Sequence, residues 1–471
     1  MTVRSDSYDS TFRKIGNSAS DLVEKYLPNA FIFAILLTFL TMALALVFTP
    51  KGPVEIGTHW GEGFWYVLSF SMQAALALIT GWAFADSPPI NRVLGRIAEV
   101  PSTHRQAVFA AAAVGVVFAL FHWGVVLIAS ALFARELGIA MEKKGVDVHY
   151  PLLVAAGYGG YITWHQGLSG AAPLLIATPD HFLADTIGSV PISQTIFNPA
   201  NLIILAALIV VVLVVMPLMA PRKSENITTI PQEKLRQADA TSAMADGGTA
   251  TVASPDSKLK SVLLESRMIC MGTGLLILSY LAYLFTTNPF LDVFNLNIFI
   301  SLMFGLGFIF HMRLRSYVSV FADAITGASQ VLIQFQFYGG IMGIMVWSGL
   351  ATQIAVLAAD LANGTTWYLI AFLTSGTINF FVPSGGGQWT VIGDILVTSA
   401  NQIPGAKIDR TMIAFMMGDQ WSNMIQPFWV LPMLGIVGLS IRDMMGYTAV
   451  LFVFSGIVLG AGSLLMGIGI I

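Results

Sequence analysis

Seven apolar runs, most of them close to 20 residues, recur along this 471-residue chain, and no other feature restricts its fold so strongly. They are Pro28–Phe48, Phe64–Ala85, Asn198–Ala220, Met268–Phe285, Leu296–Phe310, Phe321–Trp347 and Tyr447–Ile470. In hydrocarbon a lone segment must pair its own backbone N–H and C=O groups, so each run reads as a bilayer-crossing helix. Composition agrees: 56% of residues are hydrophobic and 10% charged, against roughly a quarter charged in soluble domains. A mean hydropathy of +0.75 leaves more apolar surface than one globular core buries. The net charge of −3 gives no argument for a nucleic-acid partner. Cys270 is the sole cysteine, which excludes an internal disulfide and a cysteine-ligated metal site. The first 25 residues are polar and charged, so no cleavable signal peptide is expected.

Four further hydrophobic segments are interrupted. Tyr150–Thr178 and Arg410–Ser440 carry polar, Gly and Pro residues halfway along and read as broken helices. Ala107–Ala140 and Trp367–Ala400 are short for two spans each. They read as re-entrant hairpins of half-length arms, with tips at Phe121-His122-Trp123-Gly124 and Pro383–Trp389. With nine crossings and the N-terminus cytoplasmic, 20 basic residues fall inside and only Lys51, Lys407 and Arg410 outside, as the positive-inside rule requires. The C-terminus is then external.

A shift of 259 residues (340 − 81) sets Gly81 against Gly340, Phe121 against Phe380, Gly159 against Gly418 and Pro173 against Pro432. Identity at that shift is near chance. The weight lies in the order of elements: span, span, hairpin, broken helix, span, then the same again. The expected fold is an all-α polytopic membrane protein, an inverted-repeat transporter with substrate held near the midplane where the breaks meet. Its expected parts are a cytoplasmic N-terminal segment 1–27, a first repeat 28–220, a polar linker 221–267, a connecting helix 268–286 and a second repeat 287–471. The linker is expected to be mostly disordered, and 8–27 to be either an interfacial helix or a solvated tail.

Irregular backbone at membrane depth survives only inside protein or beside a wet cavity. The candidate site residues therefore come from the two tips and two breaks. They are His122 and Trp123; Trp164, His165, Gln166, Ser169 and Gly170; Ser384, Gly385, Gly386, Gly387, Gln388 and Trp389; and Gln420, Ser422 and Asn423. Gly-rich turns at half-helix N-termini expose N–H groups that suit a carboxylate, Ser384–Gly387 above all. Asp419 is the acid most clearly inside a break, and an ionisable group there is a candidate proton or cation carrier. Asp86, Asp394 and Arg135 read as members of buried pairs. One enzymatic alternative is Gly167-Leu-Ser169-Gly170, which matches the Gly-x-Ser-Gly of intramembrane rhomboid proteases. A rhomboid core has fewer spans and no such repeat, and no nucleotide-binding loop is present.

The runs Thr80–Pro89, Phe121-His-Trp-Gly124, Tyr158–Gly170, Asn379–Trp389 and Gly418–Pro427 together resemble the bacterial short-chain fatty acid permeases. The resemblance implies uptake of acetoacetate, butyrate and similar acids across the inner membrane. That family is similar to the wider ion transporter superfamily, which implies a scaffold and a transport domain, a homodimer and elevator-like alternating access. Trp123, Trp164, Trp389 and Trp421 would then wall the acid's tail. Moving an anion inward costs about 2.3 kcal/mol per 100 mV, so a coupling cation is expected in place of any other cofactor. Asp419 is set to carry H+; alternatively, Asp419, Ser422 and Asn423 ligate Na+. No second acid completes a sodium cage, which favours the proton.

Overall fold

The computed structural model describes residues 30–221, 227–231, 258–380, 382–426 and 429–471. Among them every regular element is a helix. The segment 1–27 and most of the expected linker lie outside the described residues.

The first half runs α1 (Ala30–Phe48), α2 (Pro53–Tyr66), α3 (Leu68–Ala85), α4 (Pro88–Ala98), α5 (His104–Phe121), α6 (Trp123–Lys143), α7 (Tyr150–Gly159), a 3₁₀ turn at Gly160–Gln166, α8 (Ala171–Ile176) and α9 (Pro199–Leu218). After α10 (Lys258–Glu265) and α11 (Arg267–Thr287) come α12 (Leu296–His311), α13 (Leu314–Trp347), α14 (Leu350–Leu361), α15 (Trp367–Ile378), α16 (Gly385–Gln402), α17 (Ile408–Ser422), α18 (Leu431–Val437) and α19 (Ile441–Gly467). Caps mark several starts. Asn198, Ser266, Asn295 and Ser384 each turn a side-chain oxygen onto a first-turn N–H, satisfying a donor the helix itself leaves unpaired.

Two groups of helices form. In one, the 34-residue α13, about 51 Å long at 1.5 Å per residue, packs along α1, α2 and α3, while α12 sits against α3 and α11. The α2–α13 crossing is close because Gly63 faces Gly339 and Gly343. A Cβ on Gly63 would lie 2.8 Å from the Gly343 Cα, the small-residue contact that draws membrane helices together. In the other group, α5 lies on α6, α7, the 3₁₀ turn and α9, and α15 lies on α17 and α19 in the same way. The groups meet where α6 touches α3 and α16 touches α13. Thus the order of elements recurs, and so do their neighbours: in each half the hairpin's first arm packs on the broken helix and on the long helix that follows it.

The structure departs from the sequence reading in three places. The run Phe64–Ala85 is divided at Val67 into the end of α2 and the whole of α3. The arms of the first hairpin are 18 and 21 residues, so the expected half-length is corrected. Arg135 and Glu136, joined by a 3.0 Å ion pair, fall within the second arm, and the helix continues to Lys143. The second hairpin keeps a short first arm of 12 residues before its 18-residue second arm. Among the described residues six helices are long and apolar enough to cross a membrane: α3, α5, α6, α9, α11 and α19. Parts of the expected linker are ordered. Besides α10, residues 227–231 dock on the first half: Tyr150 N–H donates to Thr228 O (2.8 Å), Thr228 N–H donates to His149 Nδ1 (3.0 Å), and Ile230 is 3% exposed.

Candidate functional site

The two hairpin tips and both breaks converge on one cavity of about 530 Å³, its mouth included. Trp123 of the first tip, Ser384, Gly385 and Gly386 of the second, and Tyr161, Trp164, Ser169 and Ala171 of the first break line it on one side. Trp429 of the second break joins them. The opposite wall belongs to the other helix group: Phe70, Ala74 and Ala77 of α3, Leu296 and Phe299 of α12, and Phe335 of α13.

Local chemistry sets each tip. At the first, the backbone turns extended at His122 (φ −157°, ψ 119°), ending α5 and starting α6. His122 Nδ1 accepts the Gly124 N–H at 2.9 Å, so Nε2 carries the proton and donates to Ala77 O at 2.9 Å. One ring nitrogen thus caps the tip and the other holds it to α3, and His122 does not line the cavity. Trp123 N–H donates to Ser169 Oγ at 2.8 Å, which joins the tip to the first break. At the second tip, Ser384 Oγ takes the Gly387 N–H at 3.4 Å and Ser384 O takes the Gln388 N–H at 2.6 Å. The N–H groups of Gly385 and Gly386 have no partner within the helix, as in any first turn. Gly385 must be glycine because the tip rests on a ring pair: a Cβ there would meet His165 Cε1 at 2.5 Å and Trp164 Cη2 at 2.6 Å.

Behind the cavity runs a buried polar network. His165 Nε2 accepts the Ala172 N–H at 3.2 Å, so the ring proton sits on Nδ1 and is donated to Asp419 Oδ2 at 2.7 Å. Gln420 Oε1 accepts the N–H groups of His165 (3.1 Å) and Gln166 (3.3 Å), and its Nε2 donates to Gln166 Oε1 (2.5 Å). Gln166 Nε2 in turn donates to Asn201 Oδ1 at 2.8 Å. On the far side, Asn379 Nδ2 donates to Ser422 Oγ (2.9 Å) and Asn423 Oδ1 (2.8 Å), and the Tyr158 hydroxyl donates to Asn423 O (2.8 Å). These bonds stitch the break of one half to the break of the other.

Of the residues singled out in the sequence, six line the cavity: Trp123, Trp164, Ser169, Ser384, Gly385 and Gly386. The others are placed elsewhere. His165, Gln166, Asp419, Gln420, Ser422 and Asn423 belong to the network. Gly170 starts α8, where a Cβ would strike His165 O. Gly387 packs on Tyr338 and Phe335. Gln388 Nε2 donates to Ser375 O (2.5 Å), and Trp389 packs edge-on to Phe415 with centroids 4.9 Å apart. Trp421 does not wall the cavity: it stacks on Phe452 at 4.1 Å and donates its indole N–H to Phe452 O at 2.8 Å. Arg135 pairs with Glu136, and Asp86 takes a long 3.5 Å bond from Asn91.

Tyr161, Asn201, Asn379 and the apolar α3 and α12 wall went unrecognised in the sequence. Tyr161 matters most. Its hydroxyl and the Trp164 indole N–H are buried and have no hydrogen-bond partner among the described residues, although both side chains line the cavity. Unpaired buried donors cost about 1–3 kcal/mol each, a cost that a bound acceptor removes. Tyr161 stacks between Tyr158 (5.7 Å) and Trp164 (5.8 Å), which fixes the ring whatever its hydroxyl does.

The serine-protease alternative fails on the same geometry. Ser169 Oγ accepts from Trp123 N–H, and both ring nitrogens of His165 are engaged with Asp419 and Ala172, so no base stands at the serine. Among the described residues no group of three or more His, Cys, Asp or Glu is arranged to hold a metal ion.

The family model described as "Short chain fatty acid transporter" matches residues 11–466. A protein of Escherichia coli strain K12 named "Putative short-chain fatty acid transporter" is 36% identical over 450 residues, covering 95% of this chain and 98% of its own. A protein of Haemophilus influenzae with the same name is 35% identical over 450 residues, covering 94% and 97%. The crystal structure of the Alcanivorax borkumensis YdaH transporter, described as having an unusual topology, superposes with a TM-score of 0.60 at 15% identity, over 94% of this chain and 99% of that one. That likeness concerns the fold. From the family match and the two relatives, this chain is a transport protein, not an enzyme, and it belongs to the short-chain fatty acid transporter family.

Proposed function

We propose that the protein imports short-chain fatty acids of the acetoacetate and butyrate type by cation symport, with H+ as the coupling ion. The observation that carries the substrate reading is the cavity's division of labour. First-turn N–H groups of Gly385 and Gly386, the Ser384 hydroxyl and the orphan donors of Tyr161 and Trp164 lie on one side, and hydrocarbon lies on the other. An anion with a short apolar tail matches both sides. The coupling reading rests on Asp419. Its carboxylate is buried against His165, and the His165 ring is the surface on which the Gly385 tip sits. Protonation of that pair alters what the tip rests against, which links the cation to the substrate end of α16.

A specific observation supports Na+ as the second reading. Asp419 Oδ1, Asn379 Oδ1 and Gln388 Oε1 are buried acceptors with no partner among the described residues, and oxygen is the ligand a hard cation takes. The grouping of helices supports alternating access in which the hairpin and broken-helix group moves against the α1–α3 and α11–α13 group. The further parts of the proposal are an inner-membrane setting, a cytoplasmic N-terminus, an external C-terminus and a homodimer. Uptake of labelled butyrate into proteoliposomes, with proton and sodium gradients imposed separately, tests the core of it. Accumulation under the proton gradient alone is expected. Accumulation only under sodium transfers the coupling role to the second reading, and none under either removes the substrate.

A further inference from the structure

The lining of the cavity is sorted by helix group. The polar groups of the lining all belong to residues of the two tips and the two breaks, whereas α3, α12 and α13 contribute only hydrocarbon side chains. On that apolar wall the large side chains are fixed: Phe70 stacks on Phe335 at 5.5 Å, and Phe299 packs against the pinned His122 ring at 5.2 Å. Phe70 also meets the second tip, since a Cβ on Gly386 would collide with its ring. Phe70, Ala74 and Ala77 follow one another at i, i+4 and i+7 and so share a face of α3. Ala77 is buried and its carbonyl is occupied by His122. Ala74 is half-exposed and small, and it gives the wall its depth.

We infer that Ala74 of α3, with Leu296 of α12 on the same apolar wall, determines the longest acyl chain the protein accepts. The inference rests on the proposed orientation, carboxylate on the tips and tail on the α3–α12 wall. A side chain grown from Ala74 displaces the terminal carbons of the acid and leaves the carboxylate donors untouched. Trimming Leu296 lengthens the slot. The site therefore discriminates acids by the fit of their last methylenes, where one methylene too many in an apolar pocket is worth roughly 10-fold or more.

The test is competitive uptake of acetate, butyrate and hexanoate into proteoliposomes by the native protein, Ala74→Leu and Leu296→Ala. Ala74→Leu is expected to lower the hexanoate-to-acetate ratio of kcat/KM by roughly tenfold or more. Leu296→Ala is expected to raise it, by about fourfold for each methylene newly housed. Native uptake with an unchanged chain-length profile in both variants overturns the inference and leaves the substrate class standing. Absence of uptake of all three acids by the native protein overturns the substrate reading and this inference together. A variant that slows every acid equally counts against the inference too, because a wall that reads length must change the ratio.

Discussion

Tyr161→Phe gives the sharpest test of the site because its two consequences have opposite signs. The substitution removes one oxygen and keeps the ring, which stays held between Tyr158 and Trp164. In the empty protein that oxygen has no partner among the described residues, so its loss breaks no internal bond. It relieves a buried, unpaired hydroxyl, worth about 1–3 kcal/mol, and the melting temperature of the detergent-solubilised protein should hold or rise. With a carboxylate bound, the same hydroxyl makes a hydrogen bond to a charged group, worth about 1.5–3 kcal/mol. At 1.4 kcal/mol per tenfold, KM for butyrate should increase roughly 10- to 150-fold. The companion Tyr158→Phe behaves in the reverse way. It loses the 2.8 Å bond to Asn423 O, so stability should fall with little change in KM. Two measurements on each protein, the KM for uptake in proteoliposomes and a thermal melt, decide the matter. A Tyr161→Phe protein with native KM, or one that melts earlier than native, refutes the reasoning.

Gly385→Ala should force the tip off the His165–Trp164 pair at an overpacking cost of about 1–3 kcal/mol, seen as weaker butyrate uptake. Gly95→Ala, with nothing within 4 Å of its Cβ, should transport normally. In Asp419→Asn the amide oxygen still accepts the His165 Nδ1–H, so counterflow exchange should persist while accumulation driven by a proton gradient is lost; retained accumulation removes Asp419 from coupling. Gln420→Ala strands the N–H groups of His165 and Gln166, each about 1–3 kcal/mol when unsatisfied. A clear drop in melting temperature is therefore expected, and an unchanged melt would show that the network does not hold the breaks together.

The breaks and tips were legible because Gly, Pro and polar residues inside an apolar run are a strong local signal. Tyr150–Thr178 and Arg410–Ser440 do break, at the 3₁₀ turn with residues 167–170 and, among the described residues, at 423–426 and 429–430. What could not be read was which polar side chain faces the cavity. His122 and Ser169 look alike in a sequence, yet one is committed to Ala77, 45 residues away, and the other lines the site. His165 and Gln166 point to α17 and α9 for the same reason: their partners lie far off in the chain. Tyr161 was overlooked because a tyrosine in an apolar stretch resembles packing, and only the missing partner of its hydroxyl sets it apart. The α3 wall left no polar trace at all. Arm length was misjudged because the helices run past the apolar stretch 107–140 at both ends, through polar residues from His104 and on to Lys143.

The docking of residues 227–231 changes what joins the two halves. With Thr228 paired to His149 and Tyr150, and Ile230 sunk beside Gly138 and Tyr150, this stretch is part of the first half's own packing. Burying an isoleucine side chain contributes about 1.5–3 kcal/mol, which adds to the two hydrogen bonds in offsetting the cost of ordering the segment. The packing of the first half therefore extends to residue 231, and each half carries its own hairpin, broken helix and long helix. Their contacts along α2, α3 and α13 resemble those between subunits of a heterodimer. A single chain of this kind is two partners covalently kept at a fixed one-to-one ratio, so neither can accumulate in the membrane without the other.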